Sequence, residues 1–166
     1  MKRMTVALAV GALVLGGAAT ASASPATSKV PDTIKVPAGN RPLATYAGEG
    51  VQIYGCTNGA WALIQPAAVL SKHGKPVALH SKGPVWTSIV DGSTVGAAAA
   101  ASAPRENAIP ELLLKANLNT GDGLFGKVTY IQRLNTRGGV APAGACAAGA
   151  QTAVKYAADY AFWVAG

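Results

Sequence analysis

Residues 51–65 read VQIYGCTNGAWALIQ, which is two runs of branched and aromatic residues joined by a Thr-Asn-Gly segment. Asn58 and Gly59 accept the positive φ angles that a tight hairpin turn requires. Residues of this kind on both sides of an Asn-Gly pair are typical of two adjacent antiparallel strands. The stretch therefore predicts a β-hairpin, and it is the strongest hairpin signal in the chain.

The turn position also fixes the pairing of the two strands. With Asn58 and Gly59 at the tip, Cys56 lies opposite Trp61 and Tyr54 lies opposite Leu63. Side chains alternate between the two faces of a strand, so these four residues share one face. We expect that face to belong to the core.

Strand patterning continues through the rest of the chain. The sequence favours a second hairpin around Asp91-Gly92 and further strands at 96–102, 111–118, 127–134 and 154–162, whereas residues 135–149 are rich in Gly, Ala and Pro and favour a long loop. No helix with a useful apolar stripe is predicted. The fold class is therefore all-β, a single antiparallel β-sandwich or barrel-like domain with long Gly/Pro-rich loops.

The N-terminus has the pattern of a secretory signal peptide. Lys2 and Arg3 precede an apolar run, and small residues end at Ala23. We expect a signal peptide at 1–23, a Pro-rich extended leader at 24–42 and a single β-rich domain at 43–166. The predicted location is secreted, either extracellular or at the cell envelope.

The chain is basic, with 14 Lys and Arg against 7 Asp and Glu. Two of the basic residues leave with the signal peptide, so the mature charge is 12 minus 7, or +5. Such a charge favours loose attraction to an anionic cell-envelope polymer or glycan. The basic residues form no cluster of the kind that binds nucleic acid, and no second apolar stretch is long enough to span a membrane.

Cys56 and Cys146 are the two cysteines of the chain. In an oxidising compartment the simplest outcome is a disulfide bond between them. Two thiols without a CxxC spacing do not complete a zinc site, and two histidines are too few for a histidine-rich metal site. We expect no metal site from these residues.

Gly121, Gly123 and Gly126 have the spacing of a nucleotide-binding GxGxxG motif. They lie between two predicted strands and open no helix, although the motif needs a helix N-terminus to hold the phosphates. We interpret the segment as a hairpin turn and expect no nicotinamide nucleotide and no other cofactor. A calcium ion on Asn119 and Asp122, with Asn117 nearby, is left open.

The sequence contains no GxSxG elbow and no HExxH motif. Candidate ligand-pocket residues are His80, Trp86, Asp91 and Arg133, if the fold brings them together. The three tryptophans could form a stacking platform for sugars, or at least two of them could be core residues (Trp61, Trp86 and Trp163).

Several long blocks resemble a known family. The blocks GEGVQIYGCTNGAW, GPVWTSIVDGSTVGA, GDGLFGKVTYIQRLNTRGGVAPAGAC and YAADYAF are similar, in this order, to the secreted bacterial and fungal family called domain of unknown function 3455. The resemblance spans about 36–164 and implies an exported β-rich domain without an established activity. Glu111 departs from the family pattern, where an aromatic residue is commoner, and a ligand groove lined by that position would be altered.

These observations favour a non-catalytic extracellular or cell-envelope binding domain. The alternative is a secreted hydrolase whose active site is assembled from loops. A third interpretation, a secreted factor acting on another protein, would show as an exposed apolar patch. A cleft with strongly shifted pKa values would favour the enzyme.

Overall fold

The computed structural model describes residues 29–166, which form one closed antiparallel β-barrel. The predicted signal peptide and residues 24–28 lie outside the described residues. The eight strands follow one another around the barrel: β1 Asn40–Thr57, β2 Ala60–Lys72, β3 Lys75–Ser81, β4 Val85–Ser88, β5 Thr94–Ala103, β6 Glu111–Thr120, β7 Val128–Gly138 and β8 Gln151–Ala165. Each strand pairs with the next, and β8 pairs with β1. The all-β prediction is therefore confirmed, with the barrel as its form.

The described residues contain no helix that is long and apolar enough to cross a membrane.

The order of the strands sorts the connections into two ends. Because every strand runs opposite to the one before it, alternate connections lie at the same end of the barrel. The open end carries the β1–β2 turn and the connections at 82–84, 104–110 and 139–150. The closed end carries the connections at 73–74, 89–93 and 121–127.

The barrel interior combines large rings with small residues. Four rings are almost completely buried, those of Trp86, Phe125, Tyr160 and Phe162. Small residues lie between such large side chains in the interior of a narrow barrel. Gly48 faces the same interior from β1, and a Cβ atom there would lie 2.7 Å from the Tyr160 ring. The strand predicted at 154–162 is part of β8, and alternate residues of β8 from Tyr156 are buried.

The first hairpin has the predicted register, with Cys56 opposite Trp61 and Tyr54 opposite Leu63. The prediction of one core face is wrong for Leu63, whose side chain is 55% exposed. The reason is that β2 pairs with β3 only from Ala68 onward, so residues 60–67 pair with β1 alone. This β1–β2 ribbon extends beyond β3 at the open end.

The predicted disulfide is confirmed. Cys56 and Cys146 are bonded, with their Cα atoms 5.7 Å apart. Two backbone hydrogen bonds accompany the bond, from the Cys56 N–H to the carbonyl of Ala150 and from the Cys146 N–H to the carbonyl of Gly59. The disulfide therefore fastens the 139–150 connection to the β1–β2 ribbon.

Two predicted boundaries differ from the structure. The long loop begins after Gly138, because β7 continues through residues 135–138, the first four that the composition favoured as loop. The second hairpin turns through 89–93 rather than through Asp91 and Gly92 alone.

The segment before the barrel also differs from the expected extended leader. A short 3-10 helix, Asp32–Ile34, buries Ile34 completely against Ala103 and Leu113. The backbone carbonyl of Ile34 accepts a hydrogen bond from Gln132 Nε2 at 2.7 Å. Local composition did not reveal this packing because the partners lie far along the chain.

Candidate functional site

A cavity of about 420 Å³ lies toward the open end of the barrel. Its rim is formed by residues 63–66 of the ribbon and by residues 82–84 of the β3–β4 connection. Its walls are side chains that face the barrel interior, and they belong to Gln52, His80, Trp86, Leu114, Arg133 and Tyr160. The volume is within the range of small-molecule sites, which is about 300–1,000 Å³. The mouth of a barrel is also a common place for such sites.

His80 and Trp86 form a stacked pair at the cavity. They lie opposite each other on β3 and β4, with ring centroids 4.3 Å apart and planes within 4° of parallel. The Tyr160 ring meets both of them edge-on, with its centroid 5.3 Å from His80 and 5.6 Å from Trp86. This geometry fixes one aromatic wall, because each ring blocks rotation of the next.

The imidazole of His80 is uncharged at neutral pH. Burial lowers its pKa to about 4. The hydrogen bond with the Val85 carbonyl opposes this shift, and the positive charge of Arg133 adds to it. The Val85 oxygen lies 3.0 Å from Nδ1. Since a carbonyl oxygen only accepts, Nδ1 carries the proton and Nε2 is a hydrogen-bond acceptor.

Arg133 brings a positive charge to the cavity. Its register partner on β8 is Tyr160, so both side chains face the barrel interior. The guanidinium is anchored by the Pro110 carbonyl, which accepts hydrogen bonds from Nε at 3.1 Å and from Nη2 at 2.8 Å. None of the ion pairs formed within residues 29–166 includes Arg133.

Two tyrosine hydroxyls lie next to this charge. The hydroxyls of Tyr156 and Tyr160 are 3.0 Å apart. Burial raises the pKa of Tyr160 well above its usual value, and the nearby charge of Arg133 opposes that rise only in part. The Tyr160 hydroxyl therefore stays protonated at neutral pH and can donate or accept a hydrogen bond.

Two residues that line the cavity each have a buried polar atom without a hydrogen-bond partner. The atoms are Oε1 of Gln52 and Nε1 of Trp86, and the two residues are 2% and 1% exposed. An unpaired buried polar group costs on the order of 1–3 kcal/mol. Native proteins leave few such groups, so each of them is a candidate for pairing with a bound molecule.

The structure brings three of the four pocket candidates together. His80, Trp86 and Arg133 all line the cavity, whereas Asp91 lies in the 89–93 turn at the closed end. The separation arises because β4 lies between the two residues in the chain and leads from the open end to the closed end.

Asp91 organises the closed end. Its Oδ1 accepts hydrogen bonds from the Ser93 N–H at 2.9 Å and from the Ser93 hydroxyl at 2.6 Å, and its Oδ2 accepts one from the Leu124 N–H at 2.8 Å. These hydrogen bonds hold the pKa of the Asp91 carboxyl well below its usual value, and the bond from the Ser93 hydroxyl contributes most. The Ser93 oxygen in turn accepts a hydrogen bond from the Phe125 N–H at 3.0 Å. Asp91 therefore joins two turns of the barrel.

The Gly-rich segment is the β6–β7 connection that joins two antiparallel strands. A Cβ atom on Gly123 would collide with the Asp91 carboxylate, which explains the absence of a side chain there. Asn119 holds the same turn through Nδ2, which donates to the carbonyls of Phe125 and Val128. Among residues 29–166, no three His, Cys, Asp or Glu side chains form a group that could hold a metal ion.

The other predicted features lie outside the cavity. Trp163 donates from Nε1 to Gln132 Oε1 at 3.0 Å, and Trp61 lies in the ribbon opposite Cys56, so the three tryptophans form no common platform. Glu111 is buried and accepts hydrogen bonds through Oε1 from the Asn135 N–H and from Arg105. It is not among the residues that line the cavity, and it fastens the 104–110 connection to β7.

Sequence reasoning missed Gln52 and Tyr160. Gln52 occupies the same side of β1 as Tyr46, Gly48 and Tyr54, so it is a polar residue on the face that the alternation assigns to the interior. A buried polar residue is more informative than an exposed apolar one. A polar residue at this interior position was therefore the sequence signal that could have identified Gln52 as a site residue.

Comparison with protein families gives one match, to the family described as "Protein of unknown function (DUF3455)", over residues 70–164. The comparisons with curated proteins and with solved structures gave no match. The matched segment includes His80, Trp86, Arg133 and Tyr160 of the cavity, whereas Gln52 precedes it. Because the match covers more than half of the sequence, the chain belongs to the DUF3455 family, whose function is unknown.

Proposed function

We propose that this protein is an exported, non-catalytic binding protein that holds a small, largely apolar molecule in the open end of its barrel. The cavity carries the proposal. It is lined mainly by aliphatic and aromatic side chains and has a few polar groups at fixed positions. A mostly apolar pocket with a small number of convergent polar groups is the usual form of a small-molecule site.

The residues at the cavity favour binding over hydrolysis. Its lining includes no serine, threonine, cysteine, aspartate or glutamate, which are the usual nucleophiles and acids of hydrolases. Two lining groups have strongly shifted pKa values, but burial is the main cause in both. With a pKa of about 4, His80 is a weak base at neutral pH, and Tyr160 is a weak nucleophile while it is protonated.

Export is supported by the sequence of residues 1–23 and by the disulfide. A bond between Cys56 and Cys146 fits an oxidising compartment. The net positive charge supports weak retention by anionic polymers of the envelope, a role for the outer surface that is separate from the cavity. Peptidase cleavage after Ala23 would give secreted material whose N-terminal sequence begins at Ser24; a secreted form that keeps the apolar run would contradict this part of the proposal.

A fluorescent probe tests the cavity directly. N-phenyl-1-naphthylamine is neutral and apolar, and its emission rises when it enters an apolar site. We expect saturable binding to the wild-type protein. Ala99→Trp places a large ring in the cavity lining and should abolish the binding, because Ala99 is a lining residue.

Ala98→Trp is the matched control. Ala98 is the neighbouring residue on β5, is also exposed, and is not among the lining residues. The control variant should bind the probe within about twofold of the wild type. Loss of binding in both variants, or in neither, would contradict the assignment of the cavity as the binding site.

A further inference from the structure

We infer that the molecule bound in the cavity carries a single acidic group, and that Arg133 recognises that group. The inference rests on the proposed function and deepens it, since it names the chemical class of the ligand as an apolar monoanion. Arg133 is then a residue that determines specificity.

The position of the guanidinium is the first step. Arg133 is half-buried on β7, and its side chain shares the barrel interior with Tyr160. Two of its nitrogens, Nε and Nη2, donate to the Pro110 carbonyl, which fixes the plane of the group. A guanidinium that is already oriented loses little freedom on binding an oxyanion, and its remaining N–H groups, on Nη1 and Nη2, form a second fork that matches the two oxygens of an acid group.

The balance of charge is the second step. No carboxylate lines the cavity, and no ion pair within residues 29–166 includes Arg133. A partly desolvated cation without a counter-charge is costly, and an anion bound beside it offsets that cost. The other cation on the lining is Lys82, which is exposed on the rim. One fixed positive charge in an apolar cavity suits one negative charge on the ligand.

The unpaired polar atoms are the third step. Nε1 of Trp86 is a buried donor without an acceptor, and an anionic oxygen is the strongest acceptor that a ligand can offer it. Oε1 of Gln52 is a buried acceptor without a donor. A hydroxyl or N–H elsewhere on the same ligand would pair with Gln52. Each of the two atoms has less than 1 Å² of exposed surface, so the ligand pairs with it once the side chain that carries it has turned toward the cavity.

A matched pair of probes tests the charge. 8-Anilinonaphthalene-1-sulfonate has the ring skeleton of N-phenyl-1-naphthylamine and adds one negative charge. At pH 7 and low salt, we expect the wild-type protein to bind the sulfonate at least tenfold more tightly than the neutral probe. Decanoate should displace the sulfonate at a concentration at least tenfold lower than decan-1-ol does.

Arg133→Gln tests the residue. It should reduce the preference for the sulfonate to less than threefold while the affinity for the neutral probe stays within twofold. Arg137→Gln is the matched control, because Arg137 is an exposed arginine on the same strand and is not among the lining residues. This control should keep the tenfold preference.

The outcomes separate the two proposals. Binding of the neutral probe without a preference for the sulfonate overturns the inference and leaves the proposed function standing. Absence of binding for both probes overturns the proposed function, and the inference falls with it. A preference that persists in Arg133→Gln overturns the role of Arg133. If that variant does not fold, the side-chain N–H signals of Arg133 in the wild type, assigned by Arg133→Lys, provide the test: they should shift with the sulfonate and stay in place with the neutral probe.

Discussion

The two ends of the barrel differ in how their buried polar groups are paired. At the closed end, the buried hydroxyl of Ser93 donates to Asp91 and accepts from the Phe125 N–H. At the open end, Gln52 and Trp86 each keep a buried polar atom without a partner. The open end thus contains two unpaired polar atoms beside its paired groups, whereas this hydroxyl of the closed end is paired twice. Local rules of stability are commonly broken at functional sites, so the difference itself points to the open end as the site.

The packing of the two ends gives the largest expected contrast. Phe125 is completely buried at the closed end, with its ring centroid 4.7 Å from that of Phe162. Phe125→Ala should lower the free energy of unfolding by about 4 kcal/mol, because it removes a buried ring and leaves a cavity. Leu63→Ala at the open end should cost less than about 1 kcal/mol, since the side chain is 55% exposed. Urea unfolding of both variants measures the contrast; equal losses would remove it.

The pH dependence of stability tests the burial of His80. Its pKa is about 4 in the folded protein against 6.5 in the unfolded chain, so between these values the unfolded chain binds more protons. Stability is therefore complete above pH 6.5 and falls as the pH drops toward 4, by roughly 3 kcal/mol in total. The Asp91 carboxyl, whose pKa is also lowered, adds a separate loss only at lower pH.

Two histidine variants identify the source of that slope. His80→Gln should flatten the dependence of the unfolding free energy between pH 6.5 and 4. His73→Gln, at an exposed residue of the β2–β3 turn, should leave it unchanged. A slope that survives in His80→Gln would mean that other groups produce it.

Single substitutions can remove a buried polar group either from the closed end or from the open end of the barrel. Ser93→Ala should lower the free energy of unfolding by about 2 kcal/mol, because the buried Phe125 N–H loses its acceptor. Gln52→Met keeps a similar volume and removes an oxygen that has no partner, so stability should change by no more than about 1 kcal/mol in either direction. Chemical unfolding of the two variants compares them. A loss in Gln52→Met as large as that in Ser93→Ala would show that Gln52 is a structural residue.

The smallest expected effect is the response of the closed end to nucleotides. Titration of the protein with NADH should give no saturable heat. The N–H groups of Leu124 and Phe125, which a phosphate could otherwise use, already donate to Asp91 and Ser93. Gly126 also packs against the carbonyl of Gly121, which closes the turn on itself. Micromolar binding that disappears in Gly123→Val would contradict this account.

The fold could be predicted because its signals are local. Alternation and the turn at Asn58-Gly59 were sufficient for most of the strands and for the register of the first hairpin, whereas β3 was not predicted. The exposure of Leu63 depends on where β3 ends, which no nearby residue indicates. The same holds for Ile34, whose partners come from β5 and β6.

The site was harder to predict because it is assembled from distant strands. Gln52 on β1 and Tyr160 on β8 become neighbours of the same cavity only when the barrel closes. Asp91 shows the opposite case. It follows His80 closely in sequence, yet the intervening strand carries it to the other end of the barrel. Residue type and spacing alone do not distinguish these situations.

Gly48 has an evolutionary consequence. The residue is not among those that line the cavity, yet its missing side chain leaves the space occupied by the Tyr160 ring, which does line it. An alanine at this position would force that ring to move, because the new methyl carbon would lie 2.7 Å from it. Selection for a smaller or larger ligand can thus act through position 48 while every wall residue stays the same. Under the proposed function, differences in ligand preference would be sought at position 48 as well as in the walls.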